Sequence, residues 1–259
     1  MSKRGIMKIL VTGASGTIGK KLMNIIHVRN HEGFRFLRND VDMTNEKSVH
    51  DYVDKFNPDV IIHLAKSDES MTQYLLTWSK KHQKKFVFTS SYKVFSGKQV
   101  EAPYQVYDRP DGTDSFAIDK IKQEDLCFEI NPDDSYVVRL AWQIGDAPGG
   151  YNMLSFVQEQ MKQRGVMSAS KGLYLSLMFL DDTCHTLIDL VESYLPGMYH
   201  LNQNDGYSFY DVIHYLKHQK GQDWIELDDN KKFSKNDNME NTKVKVKMFS
   251  EMGMNHFQT

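Results

Sequence analysis

The segment Lys8-Ile9-Leu10-Val11-Thr12-Gly13-Ala14-Ser15-Gly16-Thr17-Ile18-Gly19-Lys20-Lys21-Leu22 constrains the fold of this chain more than any other. It reads as a buried strand, a turn punctuated by glycines and the first turns of a helix. Gly13, Gly16 and Gly19 fall three residues apart. A nucleotide pyrophosphate needs close backbone approach at a helix N-terminus, and side chains there would block it. The spacing is GxxGxxG rather than GxGxxG, so the flanking strand and helix carry much of the inference.

Strand-like runs then alternate with helix-length segments. The strands are expected at Ile9–Thr12, Phe34–Leu37, Val60–His63, Phe86–Thr89 and Tyr136–Leu140, and the helices at Ile18–His27, Glu46–Phe56, Met71–His82 and Asp119–Glu129. That rhythm predicts an α/β fold: a doubly wound parallel sheet of the Rossmann type, with ligands at the carboxyl ends of its strands.

Beyond about residue 145 the rhythm loosens. Gly145–Gly150 is a loop, followed by a helix over Asn152–Arg164, a strand over Leu173–Phe179 and a helix over Asp181–Tyr194. Tyr199–Leu201 is a short strand, and Ser208 is placed to cap a helix over Phe209–Lys217. The polar, lysine-containing stretch Asp228–Asn241 reads as an exposed loop. The expected division is a nucleotide-binding domain over 1–145 and a small substrate-binding lobe over 146–259, with the 181–194 helix returning to the core.

A formal net charge of −2 gives no reason to expect a nucleic-acid or membrane partner. No apolar run approaches the roughly 20 residues of a bilayer span. The basic start, Met1-Ser2-Lys3-Arg4-Gly5, leads directly into the first strand and is a poor signal peptide. Two cysteines, Cys127 and Cys184, suit a reducing compartment, so a cytoplasmic protein is expected.

Several segments together resemble the extended short-chain dehydrogenase/reductases, in their nucleotide-sugar branch, and within it the dTDP-4-dehydrorhamnose reductases. They are Lys8–Leu22, Val41–Asn45, Pro58–Ala65, Phe86–Gly97, Phe116–Glu124, Val138–Leu140 and Tyr199–Leu201 with Ser208. The resemblance implies a cofactor site of Gly13, Ser15, Gly16, Thr17, Ile18 and Gly19 at the pyrophosphate, Asp42 at the adenine, and Leu64, Ala65 and Lys66 near the nicotinamide ribose. Arg38 follows the second strand, where NAD-preferring proteins usually carry an acid. An arginine there can pair with a 2′-phosphate, which favours NADP over NAD. A turn former at 42 and a solvated arginine at 38 are the plain alternatives. The resemblance also implies a nucleotide-sugar substrate and admits a homodimer.

The same resemblance implies a Ser/Thr, a Tyr and a Lys as the reacting groups. Ser91 falls at the first position and Lys120 at the third, in Phe116-Ala117-Ile118-Asp119-Lys120. Phe116 stands where the tyrosine belongs. A positioned general acid contributes roughly 10²–10⁴ in rate, and phenylalanine has no proton to give. Three readings follow. Another tyrosine donates, with Tyr92, Tyr104 and Tyr107 as candidates; or the chain binds nucleotides without turnover, as a regulatory subunit of methionine adenosyltransferase in this branch does; or the tyrosine was replaced to trap a complex.

Other clusters have plainer explanations. His214 and His218 lie one helical turn apart with no third ligand nearby, and Asp181-Asp182 suits a helix N-terminus. The pairs Lys80-Lys81, Lys84-Lys85 and Lys231-Lys232 suit solvated faces, and Met248, Met252 and Met254 suit packing. Arg139, at the end of the fifth strand, suits either a substrate diphosphate or a buried structural role.

Overall fold

Alternation within the strands builds two cores, one on each face of a single sheet. In β1 (Lys8–Thr12), Ile9 and Val11 face one core while Leu10 faces the other. β3 (Val60–His63) divides Val60 and Ile62 from Ile61 in the same way. A strand buried on both faces must be apolar throughout, and the pleat sends neighbours to opposite sides.

The structure, a computed structural model, describes residues 5–229 and 232–254. Met1–Arg4 and Lys231, which figured in the sequence reading, lie outside the described residues. In chain order the first half runs β1, α1 (Thr17–Val28), β2 (Glu32–Arg35), α2 (Glu46–Asp54), β3, α3 (Glu69–His82), β4 (Lys85–Ser91), α4 (Ser115–Ile130) and β5 (Ser135–Leu140). The second half runs β6 (Trp142–Ile144), α5 (Met153–Arg164), β7 (Met167–Ser168), β8 (Gly172–Leu175), β9 (Leu177–Phe179), α6 (Leu180–Ser193), β10 (Gly197–Leu201), α7 (Phe209–Gln219), β11 (Leu227–Asp228) and β12 (Ser234–Asp237).

The central sheet has six parallel strands in the order β10-β5-β4-β3-β1-β2. After β1 the chain moves outward to β2, then returns to the other side of β1 for β3. The carboxyl ends of β1 and β3 therefore flank the crevice where a doubly wound sheet takes its ligand. Helices α1 and α6 pack on one face, where Leu22, Ile25 and Ile26 meet Leu187, Ile188 and Val191. Residues from α2, α3 and α4, including Val53, Leu75, Trp78 and Cys127, fill the other face. A separate core gathers residues of β6, α5, β9 and α7, among them Ile144, Val157, Leu177 and Ile213.

Four local expectations are revised. The second strand is Glu32–Arg35 rather than Phe34–Leu37. It is a mostly exposed edge strand placed by pairing with β1, from Lys8 opposite Glu32 onward, so its own hydrophobicity did not mark it. The fourth helix begins at Ser115, not Asp119, because the Asp114 side chain accepts the Ala117 amide at 2.9 Å and caps the first turn. The Leu173–Phe179 strand divides at Ser176, whose hydroxyl donates to Asp237 O at 3.0 Å. Finally, 228–241 is not simply an exposed loop. β12 pairs with β8, and Asn238 and Met239 are buried. Hydrogen bonds donated by Asn202 Nδ2 to Asn238 Oδ1 at 2.9 Å and to Met239 O at 2.7 Å satisfy that polar segment inside the protein.

Candidate nucleotide and reaction site

The glycine turn joins β1 to α1 at the expected crevice. Gly13 has φ +69°, and a Cβ there would lie 2.8 Å from Ala65 N. Any larger residue would clash with the backbone that leaves β3. Gly19 is more restricted still, since its Cβ would lie 2.2 Å from Gly13 O. The Gly16 amide donates to Gly13 O at 2.9 Å and closes the turn. Gly16 is also the N-cap of α1 and supplies no side chain to it. The first-turn amides and the positive end of the helix dipole are thus presented as an anion site. Ser15 and Gly16 are exposed there, and Thr17 and Ile18 are half-buried.

The 145–151 loop crosses the start of α1. Thr17 Oγ1 accepts the Tyr151 amide at 2.8 Å, and Gly150 is pressed against the same hydroxyl. Lys21 ties the loop down through Asp146 at 3.4 Å and meets Asp181 at 2.8 Å. These contacts give Asp181 a structural role. Asp182 takes another by accepting Gln203 Nε2 at 2.7 Å.

Along the crevice, Leu64 is half-buried, Ala65 is buried and Lys66 is exposed. Arg38 is exposed and reaches across from the β2 side, donating from Nη2 to Lys66 O at 2.6 Å. The guanidinium therefore stands at the rim of the β1–β3 crevice. Asp42 uses Oδ1 to close its own turn, accepting Thr44 N at 3.0 Å and Thr44 Oγ1 at 2.7 Å. Those bonds hold its carboxyl below the usual range.

The other end of the site is built from β4 and α4. Ser91 ends β4 half-buried, and its Oγ accepts Lys93 N at 3.2 Å to cap a short 3₁₀ turn. Lys120 is buried on α4 and donates from Nζ to Thr89 O at 2.9 Å, two residues before Ser91. Its ammonium lies 4.6 Å from the Phe88 ring centroid. Burial pushes its pKa down to about 8, against the opposing pull of the Glu124 carboxylate. Phe116 is half-buried in the first turn of α4, one helical turn before Lys120. The structure thus holds Lys120 at the carboxyl end of β4, on the carbonyl two residues before Ser91, with Phe116 on the helix that carries Lys120.

The candidate substitute tyrosines differ in surroundings. Tyr104 is fully buried and stacks on Phe95 at 4.3 Å. Its hydroxyl has no partner among the described residues, and burial raises its pKa to about 12. Tyr107 is 82% exposed beneath Lys243. Tyr92 follows Ser91 and is half-buried, with its pKa raised by burial and then by Asp237 and Tyr151. Arg139 is engaged structurally. It pairs with Glu124 at 2.7 Å and donates to His200 Nε2 at 3.3 Å. The His214 and His218 rings lie 4.5 Å apart, tilted by 52°, and no group that could hold a metal occurs among the described residues.

Sequence reasoning missed the polar chain beneath this site. His63, at the end of β3, contacts Thr12 Oγ1 through Nδ1 at 2.7 Å and Ser67 Oγ through Nε2 at 2.8 Å. Thr72 and Gln123 continue the chain to α4, with Thr72 Oγ1 donating to Gln123 Oε1 at 2.6 Å. The available signal was a histidine and two threonines at otherwise apolar core positions.

The fold and its glycine-turn crevice define a Rossmann-type α/β protein. Within that class the chain belongs to the family described as RmlD substrate binding domain, which matches residues 7–71 and 66–223. The spore coat polysaccharide biosynthesis protein SpsK of Bacillus subtilis is 23% identical over 230 residues, covering 83% of this chain and 80% of that protein. A dTDP-4-dehydrorhamnose reductase of Aggregatibacter actinomycetemcomitans is 24% identical over 228 residues, covering 79% and 76%. The crystal structure of the Bacillus anthracis dTDP-4-dehydrorhamnose reductase in complex with NADP superposes with TM-score 0.77 at 18% identity, covering 98% of this chain and 99% of that one. Among the described residues no helix is long and apolar enough to cross a membrane.

Proposed function

We propose that this chain is an NADP(H)-binding protein acting on a nucleotide-linked sugar, with 4-keto-sugar reduction as its nearest chemistry. The observation that carries the reading is the convergence of the uncapped α1 N-terminus with Ser91 and Lys120 along one sheet edge. The family and the NADP-bound neighbour support it. The cradle fits a dinucleotide on steric grounds, because side chains at Gly13 and Gly19 would fill or distort it. NADPH would supply hydride to the carbonyl carbon when bound. Gly13, Ser15, Gly16, Thr17, Ile18 and Gly19 would hold the pyrophosphate, and Arg38 a 2′-phosphate at the rim. Leu64, Ala65 and Lys66 would line the ribose path, with Asp42 toward the adenine. Lys120 would hold the nicotinamide ribose, and Ser91 would orient the sugar oxygen. We read 1–145 as the cofactor domain, 146–259 as mainly the substrate lobe, and the cytoplasm as the compartment.

Phe116 favours a second reading. With no hydroxyl at that position, the carbonyl oxygen has no proton donor by the family route. A binding or regulatory subunit that keeps the site without turnover fits this observation. Calorimetry with NADPH and NADH, followed by cofactor oxidation with a dTDP-4-keto sugar, tests both. Turnover supports the reductase reading, and tight NADPH binding without turnover supports the binding module. Failure to bind either cofactor refutes both.

A further inference from the structure

His63 is buried where the two halves of the site meet, and its hydrogen-bond partners fix its protonation. Gln123 Nε2 faces Ser67 O at 3.5 Å, which orients that amide and leaves Gln123 Oε1 to accept from Thr72 at 2.6 Å. Thr72 Oγ1 has then given its only proton, so at 3.2 Å from His63 Nε2 it can only accept. An Nε2–H satisfies both Ser67 Oγ and Thr72 Oγ1, whereas a bare Nε2 accepting from Ser67 would leave Thr72 Oγ1 facing it acceptor to acceptor at 3.2 Å; the network therefore favours the proton on Nε2. On the other ring edge, Thr12 Oγ1 accepts the Ala65 amide at 3.2 Å. Its own proton then goes to the bare Nδ1. Every bond runs the same way: Ala65 N–H to Thr12, Thr12 to His63, His63 to Ser67 and Thr72, Thr72 to Gln123.

A second link runs through the main chain. Thr89 Oγ1 donates to His63 O at 2.9 Å, and Thr89 O accepts from Lys120 Nζ at 2.9 Å. Ala65 abuts Gly13 of the glycine turn, and Gln123 is one turn of α4 beyond Lys120. The imidazole stays neutral because burial disfavours its charged form, and the Lys120 and Arg38 cations oppose it further.

We propose that neutral His63, as its Nε2–H tautomer, is a positioning residue that sets the glycine-turn side of the site against the helix carrying Lys120. Thr12 serves the first side and Thr72 the second. This deepens the proposed nucleotide function and rests on it only where NADPH is the probe.

The test uses the full chain and two volume-conserving changes. Nitrogen NMR of the His63 imidazole should show protonated Nε2 and bare Nδ1 throughout the neutral range. Thr12→Val should weaken NADPH binding about tenfold, the worth of roughly one net hydrogen bond, with the Lys120 titration unmoved. Thr72→Val should also weaken NADPH binding about tenfold, since Lys120 is the proposed ribose holder, and should in addition shift the Lys120 midpoint read from its ε-carbon signal. Thr12→Ser and Thr72→Ser should restore both readouts. An Nδ1–H tautomer or an imidazolium overturns the proposal. So does an equal effect of the two valine variants on the Lys120 midpoint, which would mark simple destabilisation. If the chain binds no NADPH, the nucleotide reading fails, while the tautomer and the Lys120 response to Thr72→Val still decide this proposal.

Discussion

Restoring a hydroxyl at Phe116 measures what its absence costs. Phe116→Tyr adds one oxygen to a half-buried ring in the first turn of α4. Lys120 lies four residues on, so the two Cβ atoms are about 6 Å apart on one helix face. If the charged ends are also about 6 Å apart, an effective dielectric of about 20 gives roughly 3 kcal/mol of stabilisation to the phenolate. That is about two pKa units, before the opposing effect of partial burial. The lysine would charge this way near neutral pH, since its own pKa is about 8. The phenol would move from its usual value near 10 toward the range where proton transfer is efficient. Turnover of a dTDP-4-keto sugar, followed by loss of the reduced nicotinamide absorbance, should rise about 10²- to 10⁴-fold. NADPH affinity should change little, because the ring is retained. The reasoning is refuted if the unmodified chain turns over within about tenfold of the variant. Another residue would then already donate the proton, with Tyr92 beside Ser91 first to be mutated.

Four further outcomes follow from the same geometry. Gly19→Ala forces a methyl to 2.2 Å from Gly13 O, so calorimetry should show NADPH binding lost. Arg38→Ala should weaken NADPH binding about tenfold or more and leave NADH unchanged, the value of a charge-assisted hydrogen bond to a 2′-phosphate. Lys120 has a folded pKa near 8, below its ordinary 10.5. Between those values the unfolded chain holds a proton that the native protein has released, so stability rises with pH by up to about 1.4 kcal/mol per unit; Lys120→Met should remove that slope in denaturant titrations. Arg139→Met leaves the Glu124 carboxylate, 3% exposed, without its cation. That change should cost about 3–5 kcal/mol, and Arg139→Met with Glu124→Leu should recover most of it.

How much of this was legible depends on the range over which each constraint acts. The glycine turn was readable because its steric demand is local: Gly13, Gly16 and Gly19 each answer to atoms within a few residues or to the strand beside them. β1 and β3 announced themselves through uninterrupted apolar runs, as strands buried on both faces must. β2 did not, since an edge strand with one half-buried residue takes its register from its neighbour. The sixth sheet strand was visible only as three residues, Tyr199–Leu201; its parallel pairing with β5 is a long-range fact. Ser91 and Lys120 were placed by resemblance, and nothing in their spacing said that Lys120 would reach the carbonyl of Thr89, two residues before Ser91.

The polar chain through His63 shows why the rest stayed hidden. Thr12 and His63 are 51 residues apart, as are Thr72 and Gln123, yet each pair is in hydrogen-bond contact. Singly, each is a polar residue in an apolar stretch, which burial penalises unless a partner is found. The sequence therefore displays the cost of these residues without displaying what offsets it. Lys120 belongs to the same group: buried, bonded to a backbone carbonyl and held with a lowered pKa. A chain that had abandoned nucleotide chemistry would gain stability by replacing such a lysine with a well-packed apolar residue. A buried, backbone-bonded lysine one helical turn after Phe116 is what the proposed ribose-holding role of Lys120 would require.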